Sequence, residues 1–181
     1  MPKPRGFTLI ELLIVMTISA IMIAIASPSL KTLIQTRQIN STVSIFMSDL
    51  RFARSESIRR GGGVVMCRSM DPEVLSPVCT DGSDSGWETG WIIFHDLNSN
   101  GTKNSNETTI RVQAPFANID SIAEAGAATT FKFTATGRLS LTSSTSVQFG
   151  GEKFTNETQR IVCVSKAGLT RIAGDGFSEC K

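Results

Sequence analysis

The chain has no tyrosine and one histidine, and only 19% of its 181 residues are charged. A single histidine excludes a histidine-rich metal site and a relay of several histidines. The 18 basic and 16 acidic side chains nearly cancel, so bulk electrostatic attraction to nucleic acid is not expected. Hydrophobic residues make up 40% of the chain. That composition fits one globular domain with an appendage, and it excludes a disordered chain and a protein with several membrane spans.

One long hydrophobic run, residues 7–26, stands near the N-terminus. At about 1.5 Å per residue a helix of this length matches a bilayer core of about 30 Å. Lys3 and Arg5 precede the run without any acid, which predicts a cytoplasmic N-terminus and a C-terminal domain outside the inner membrane. An ordinary signal peptide, cleaved after small residues such as Ala24 and Ala26, is the alternative, but the run is long for one.

Glu11 is the unusual residue of this run, because a carboxylate inside a bilayer costs a few kcal/mol and usually has a function. A solvated position near the headgroups is the simpler explanation. The segment GFTLIELLIVMTISAIMIAIASPSL resembles the class III leader and N-terminal helix of type IV pilins and pseudopilins. The resemblance implies cleavage after Gly6 and N-methylation of Phe7 by a prepilin peptidase. It also identifies Glu11 as the assembly glutamate and Pro28 as the helix-kinking proline.

The residue types suit these roles. Gly6 has no side chain to obstruct a protease, and Pro28 lacks the N–H that a regular helix needs. In a filament Glu11 would pair with the N-terminal amine of Phe7 from a neighbouring subunit, which would remove its desolvation cost.

Beyond Pro28 apolar residues recur every three or four positions, which predicts that the helix continues and packs on a soluble domain. Glycines at 61–63 predict its end near Arg60. Short strands are then predicted at 64–68, 91–94, 109–113, 130–134, 146–149 and 160–165. The expected fold is α+β and pilin-like: a long N-terminal helix, membrane-spanning in its first half, packed on antiparallel β-sheet. The predicted stripe consists of Leu30, Leu33, Ile34, Val43, Phe46, Met47, Leu50, Ala53 and Ser57.

Within the pilin superfamily, the segments LRFARSESIRRGGGVVMC, GWIIFHDLNSNG, FTATGRLS and RIVCVSKAGLTR resemble the GspH/FimT/FimU group of minor pilins. The resemblance divides the chain into a leader (1–6), a transmembrane and filament-core half of the helix (7–28), an amphipathic half (29–60) and a periplasmic β-rich domain (61–181). It implies a subunit, not an enzyme, that primes or caps a type IV pilus or a type II secretion pseudopilus. The implied partners are the prepilin peptidase, other major and minor pilins or pseudopilins, and the inner-membrane assembly platform. No cofactor is implied.

Four cysteines follow the hydrophobic run and would lie in the oxidising periplasm. Three disulfide pairings are possible. We favour Cys67–Cys79 and Cys163–Cys180, because each closes a loop rich in Gly, Asp, Ser or Pro that has little core of its own. A zinc site is the rival interpretation, although the sequence contains no C-x-x-C pair.

The stretch from Asp96 to Glu107 matches the D-x-[DN]-x-[DN]-G-x5-E pattern of calcium loops. Asp96, Asn98, Asn100 and Glu107 would be the oxygen ligands. Only two of these four residues are charged, and Asn-Gly with Asp is also what a metal-free hairpin connection needs. Both interpretations stay open, the metal-free hairpin being the favoured one.

DNA binding is a second functional hypothesis, because FimT-type minor pilins of competent bacteria contact DNA through a G-R-x-R element. The stretch Gly168-Leu169-Thr170-Arg171 keeps the second arginine of that element and replaces the first by Leu169. Lys166 and Arg171 are the candidate contacts, and a solvated strand face is the alternative. A second basic cluster consists of Arg51, Arg54, Arg59, Arg60 and Arg68, whose positions near a helix end also suit the helix dipole.

A catalytic pair of His95 and Asp96 is not expected. Adjacent residues on a strand point to opposite faces, so the two side chains are poorly placed to orient each other. The sequence also contains neither a nucleophile elbow nor an H-E-x-x-H motif.

Overall fold

The structure is a computed structural model that describes residues 7–82, 86–152, 154–155, 158–173 and 180, without the side chains of 26–28. The leader, with the predicted cleavage site at Gly6, lies outside the described residues. Pro28 falls within the first helix, but its side chain is outside the described part.

Helix α1 (Leu9–Arg60) contains 52 residues. Thr8 caps its start by accepting the backbone N–H of Glu11 at 3.3 Å. Within the apolar half, the hydroxyls of Thr17 and Ser19 donate to main-chain carbonyls three and four residues earlier. These polar groups are therefore satisfied inside the helix, as an apolar environment requires.

The C-terminus of α1 is closed by glycine, as predicted. Gly61 adopts a left-handed conformation with φ of 78°. The N–H of Gly62 donates to the Ser57 carbonyl at 2.7 Å, which satisfies an otherwise unpaired carbonyl of the last turn.

The first half of α1 projects from the rest of the structure with its apolar side chains exposed. Among the described residues no single helix is long and apolar enough to cross a membrane, whereas Leu9–Ile25 and Ser29–Arg60, bent by 41°, together meet the length and composition of a span. Leu30, Leu33 and Ile34, which the periodicity placed in the packed stripe, are also exposed. These three residues precede the buried face of the helix, which begins at Ile39.

The second half of α1 forms one wall of the core. Its buried apolar face begins at Ile39 and ends at Ala53. Phe46 lies at the centre and makes edge-on contacts with four aromatic rings at centroid distances of 5.3–6.1 Å. Such contacts add to the stabilisation from burial alone. The rings are Trp87, Trp91, Phe131 and Phe149.

Eight strands follow the helix, and they form two four-stranded antiparallel sheets. The first sheet has the order β3-β2-β1-β5 and the second the order β4-β6-β7-β8. Both sheets cover α1, which confirms the predicted α+β fold. The strands are β1 (Val64–Arg68), β2 (Trp91–His95), β3 (Thr109–Gln113), β4 (Ser121–Glu124), β5 (Thr130–Phe133), β6 (Thr145–Gly150), β7 (Arg160–Val164) and β8 (Thr170–Ile172), with a 3₁₀ turn at Trp87–Thr89.

Six of these strands lie where the sequence predicts them, and β4 and β8 were not predicted. Both are edge strands of the second sheet, and they contain four and three residues. Segments this short carry too little alternation to be distinguished from loops.

A smaller apolar cluster lies on the opposite face of the first sheet and contains Val65, Cys67, Ile92 and Phe94, with Cys79 packed against it. The structure joins Cys67 to Cys79 and Cys163 to Cys180, the favoured pairing. The first disulfide ties the loop after β1 to this cluster.

Candidate functional site

The N-terminal surface of α1 is apolar with one acid. Phe7 is 87% exposed, and Glu11 is exposed on the first helical turn. The Glu11 carboxylate has no ion-pair or hydrogen-bond partner among the described residues. The structure therefore presents a bare carboxylate within an apolar helical surface, as an intermolecular pairing requires.

The packed half of α1 is fixed to the first sheet by a buried acid. Asp49 is 4% exposed and accepts the indole N–H of Trp91 at 2.9 Å. Its second oxygen accepts from the Arg111 guanidinium at 2.6 Å. That guanidinium also lies 3.9 Å from the centroid of the Phe52 ring, a cation–π contact. The group ties the helix to β2 and β3.

Sequence reasoning did not find this group. The signal was an acid, Asp49, within a stripe of apolar residues between Met47 and Leu50. Its partners lie 42 and 62 residues away in sequence, so no local pattern identifies them.

The basic residues at the end of α1 are partly neutralised. Glu56 pairs with both Arg59 and Arg60. The hydrogen bond from Arg59 is the largest cause that lowers the pKa of the Glu56 carboxyl to about 2. Arg68 is buried and donates to the carbonyl of Gly82 at 2.5 Å. Three arginines of the second predicted basic cluster are therefore engaged within the molecule.

The predicted calcium residues occupy the loop after β2, and its carboxylates bind backbone amides. Asp96 is 3% exposed and accepts the N–H groups of Asn100 and Gly101 at 3.2 and 2.7 Å. Glu107 is 4% exposed and accepts those of Leu97 and Asn104 at 2.9 and 2.8 Å. Gly101 makes the sharp turn with φ of 79°. These bonds close the loop through its own main chain.

The other predicted calcium ligands, Asn98 and Asn100, also form hydrogen bonds within the loop. The side chains of Asn98 and Asn100 both donate to the Asn104 side-chain oxygen. Lys103 is buried within the loop, and the ammonium end of Lys132 packs on Gly101. Within the described residues, no group of three or more His, Cys, Asp or Glu side chains could hold a metal ion. The hydrogen bonds of this loop therefore fit the hairpin interpretation.

Of the candidate DNA residues, Lys166 lies on the turn between β7 and β8, and Arg171 lies in β8. Lys166, Leu169 and Arg171 are all exposed. The Lys166 carbonyl accepts the N–H of Leu139 at 3.0 Å, which links this turn to the segment after β5. The Arg54 side chain packs on the glycines of both turns, Gly137 and Gly168. The structure therefore brings a helix arginine to the β7–β8 turn, a contact that the sequence did not reveal.

His95 and Asp96 have different surroundings, as expected for neighbours at a strand end. The Asp96 carboxylate binds the loop amides described above, and the His95 ring lies near Gly63.

Comparisons with known proteins agree with this architecture. Residues 42–168 match the family model described as "Type II transport protein GspH", and residues 1–27 match the prokaryotic N-terminal methylation motif. A comparison with curated proteins found no significant match.

Two similar solved structures are crystal forms of the type IV minor pilin FimU of Pseudomonas aeruginosa. The first has a TM-score of 0.60 and 17% identity over 80% of this chain and 96% of FimU. The second has a TM-score of 0.58 and 18% identity over 79% of this chain and 100% of FimU. At these identities the likeness concerns the fold. The matched family model covers more than half of the chain, and the chain therefore belongs to the GspH family of pilin-like subunits, the minor pilins and pseudopilins, which are not enzymes.

Proposed function

We propose that this protein is a filament subunit that is held in the inner membrane by the first half of α1 before it joins a type IV pilus or a secretion pseudopilus. One observation carries the proposal: a single helix is exposed and apolar at its start and forms a wall of the core at its end. In a protein without a membrane or filament contact, this large apolar surface would stay exposed to water. Neighbouring helices in a filament would bury it.

Processing is the second part of the proposal. Cleavage after Gly6 makes Phe7 the first residue and leaves its amine, N-methylated, one helical turn from Glu11. In the filament the carboxylate of Glu11 pairs with the amine of a neighbouring subunit. The N-terminal flank is cytoplasmic before cleavage, and the β-rich domain is periplasmic.

We place the subunit at the end of the filament, where it primes or caps assembly together with other minor pilins. This part rests on the resemblance to the minor-pilin group. The prepilin peptidase, the other pilins or pseudopilins and the assembly platform of the inner membrane are the proposed partners.

The experiment is intact-mass measurement with N-terminal sequencing of the protein from its native membrane fraction. We expect a chain that starts at methylated Phe7. Its mass should lie four hydrogens below the fully reduced value, because two disulfides are present. A start at Met1 or after Ala26 would contradict the proposal, since the apolar segment would then be a plain anchor or an ordinary signal peptide.

DNA binding is a second candidate function. Lys166 lies beside Arg138, and Arg54 packs on the same two turns, so three cations share one surface. A gel shift with the full chain in detergent tests it. Salt-sensitive binding that is lost in Lys166→Ala and Arg171→Ala would support DNA contact, and absence of binding at low salt would exclude it.

A further inference from the structure

The surface at the C-terminal end of α1 combines positive charge with exposed apolar side chains. Arg138 and Lys166 are exposed, and Arg54 is half-buried. Ile58 and Leu169 are each more than half exposed. We call these five residues the basic patch. Large apolar side chains grouped with cations on a surface indicate a contact with another macromolecule.

Contacts between two turns and the helix join the basic patch into one surface. The turns at Gly137 and Gly168 touch, because a Cβ on Gly168 would clash with the Gly137 carbonyl oxygen. A Cβ on Gly137 would lie 2.8 Å from the Ile58 Cδ1 atom and 3.0 Å from the Arg54 Cγ atom, and a Cβ on Gly168 would lie 3.2 Å from the Arg54 Cδ atom. Each glycine directly precedes a residue of the basic patch. The stem of Arg54 is therefore held against both turns.

The guanidinium of Arg54 has no acceptor among the described residues. Its Nε atom is buried without a hydrogen-bond partner. Its two Nη atoms are not among the buried polar atoms, and they form no ion pair within the described part of the chain. A buried donor without an acceptor lowers the stability of the isolated subunit. The Nη groups are accessible to a ligand, and the two oxygens of a carboxylate match them.

The other two cations of the basic patch are also without an acidic partner. Neither Arg138 nor Lys166 forms an ion pair within the described residues. The N–H of Leu139 donates to the Lys166 carbonyl at 3.0 Å, so the two cations lie on neighbouring segments. Three unpaired cations beside two apolar side chains are complementary to a surface that combines carboxylates with apolar groups.

The apolar side chains of the basic patch favour a protein partner over nucleic acid. Binding to nucleic acid depends mainly on contacts to phosphates, and neither Ile58 nor Leu169 can bind a phosphate. Leu169 also stands where the G-R-x-R element has its first arginine. An apolar contact is therefore available where that element would make a charged one.

We propose that the basic patch docks a different pilin-like subunit, which places a carboxylate on Arg54 and covers Ile58 and Leu169 with apolar side chains. The inference rests on the proposed function, because a subunit at the end of the filament has other minor pilins as its neighbours. Arg54 is the anchor of this contact, since its guanidinium serves binding and not the stability of the isolated subunit.

The test uses the full chain in its native membrane, with benzoylphenylalanine in place of Leu169 as a photocrosslinker. We expect a crosslink to a different protein that carries its own N-terminal methylation motif. Mass spectrometry should map the crosslink to a peptide that contains Asp or Glu beside apolar residues. The matched control carries the crosslinker in place of Leu97, an equally exposed leucine of the loop after β2, and should not give this product.

Charge reversal tests the complementarity. The double variant Arg138→Glu/Lys166→Glu should lower the crosslinked product about tenfold. Replacing an acid of the partner at the mapped site by lysine should then restore the product to within about twofold. Undiminished crosslinking in the double variant, or no restoration by any acid of the mapped site, would overturn the inference.

The variant Arg54→Met separates docking from folding. It keeps an apolar stem and removes the guanidinium with its unsatisfied Nε–H. We expect the thermal midpoint to rise, or to fall by no more than about 3 °C, while the crosslinked product falls about tenfold. Arg51→Met, a matched change at an exposed arginine of the same helix, should alter neither quantity. A larger fall of the midpoint, or undiminished crosslinking in Arg54→Met, would overturn the role of Arg54 as an anchor.

The outcomes distinguish this inference from the proposed function. A protein that is cleaved and incorporated normally, but gives no crosslink to another pilin-like subunit, would overturn the docking and leave the filament role intact. A chain that starts at Met1 or after Ala26 would contradict both. Crosslinks only to a second copy of this chain would overturn the docking of a different subunit. DNA that protects Lys166 from lysine-specific labelling, with no partner subunit crosslinked, would assign the basic patch to nucleic acid and overturn the docking as well.

Discussion

Asp49 shows how one residue connects the helix to the sheet. Its carboxylate serves two donors, the Trp91 indole and the Arg111 guanidinium. Asp49→Ala would leave a buried indole N–H without an acceptor and a cation without its partner. Because Arg111 is 40% exposed, we expect a loss of about 2 kcal/mol in the free energy of unfolding, below the 3–5 kcal/mol of fully buried pairs. Tryptophan fluorescence during urea unfolding measures it.

The controls for Asp49 are a conservative and a distant variant. Asp49→Asn keeps an acceptor for the indole and should lose only about half as much. Asp71→Ala removes an exposed carboxylate and should change the free energy of unfolding by less than about 0.5 kcal/mol. Equal losses in Asp49→Ala and Asp71→Ala would contradict the account of the buried acid.

Glu56 gives a pH dependence with a defined sign. Its pKa is lowered from 4.5 to about 2 by Arg59 and Arg60, so the folded state favours the ionised form. The stabilisation is therefore complete above the unfolded pKa and is lost as the pH falls from about 5 to about 2. Unfolding titrations over this range should show a steeper loss of stability in the natural protein than in Glu56→Gln. Parallel curves would exclude Glu56 as a source of acid sensitivity.

Single residues differ in how far the sequence reveals them. Glu11 is conspicuous because a carboxylate in an apolar run breaks a strong pattern. The cysteine pairs follow from short, turn-rich loops, and the structure contains both. Asp49 and Arg54 act through partners far away in sequence, so their roles depend on the tertiary structure.

At the level of elements, the loop between β2 and β3 tests the calcium hypothesis. Its two carboxylates each accept two backbone N–H groups, and Lys103 and Lys132 supply positive charge nearby. We expect that neither calcium nor a chelator changes the thermal midpoint of the protein by more than about 1 °C. A rise of several degrees in millimolar calcium, lost in Glu107→Gln, would contradict the metal-free interpretation.

Element prediction succeeded where local patterns are strong. Three successive glycines predict the end of α1. Runs of β-branched and aromatic residues between turn residues predict six of the strands. The start of packing on α1 is not encoded locally. Leu30 and Val43 both belong to the predicted stripe, but Leu30 is exposed and Val43 is buried in the core.

For the molecule as a whole, Glu11 separates folding from assembly. Glu11→Ala changes an exposed side chain far from the core, so the protein should stay folded, cleaved and bound to the membrane. We expect its incorporation into filaments to fall at least tenfold, because an amine of the neighbouring subunit would be buried without its partner. Immunoblots of sheared filaments and membranes measure this ratio. Lys31→Ala, an exposed change on the same helix, is the control, and normal incorporation of Glu11→Ala would remove the proposed pairing.

The division into two sheets was not predictable from the sequence. The chain passes from β3 to β4 in the second sheet and then back to β5 in the first. Strand β5 pairs with β1, which lies more than 60 residues earlier, and no local signal specifies such a partner. The family resemblance supplied the pilin-like fold, and residue patterns supplied its elements.

The shared helix has a mechanical consequence. Helix α1 is at once the exposed N-terminal stalk and the wall on which Phe46 and Asp49 meet the sheets. A pull on the stalk therefore passes along one helix, through its 41° bend between Ile25 and Ser29, into the middle of the domain. The load is spread in shear over aromatic contacts, an ion pair and hydrogen bonds at the same time.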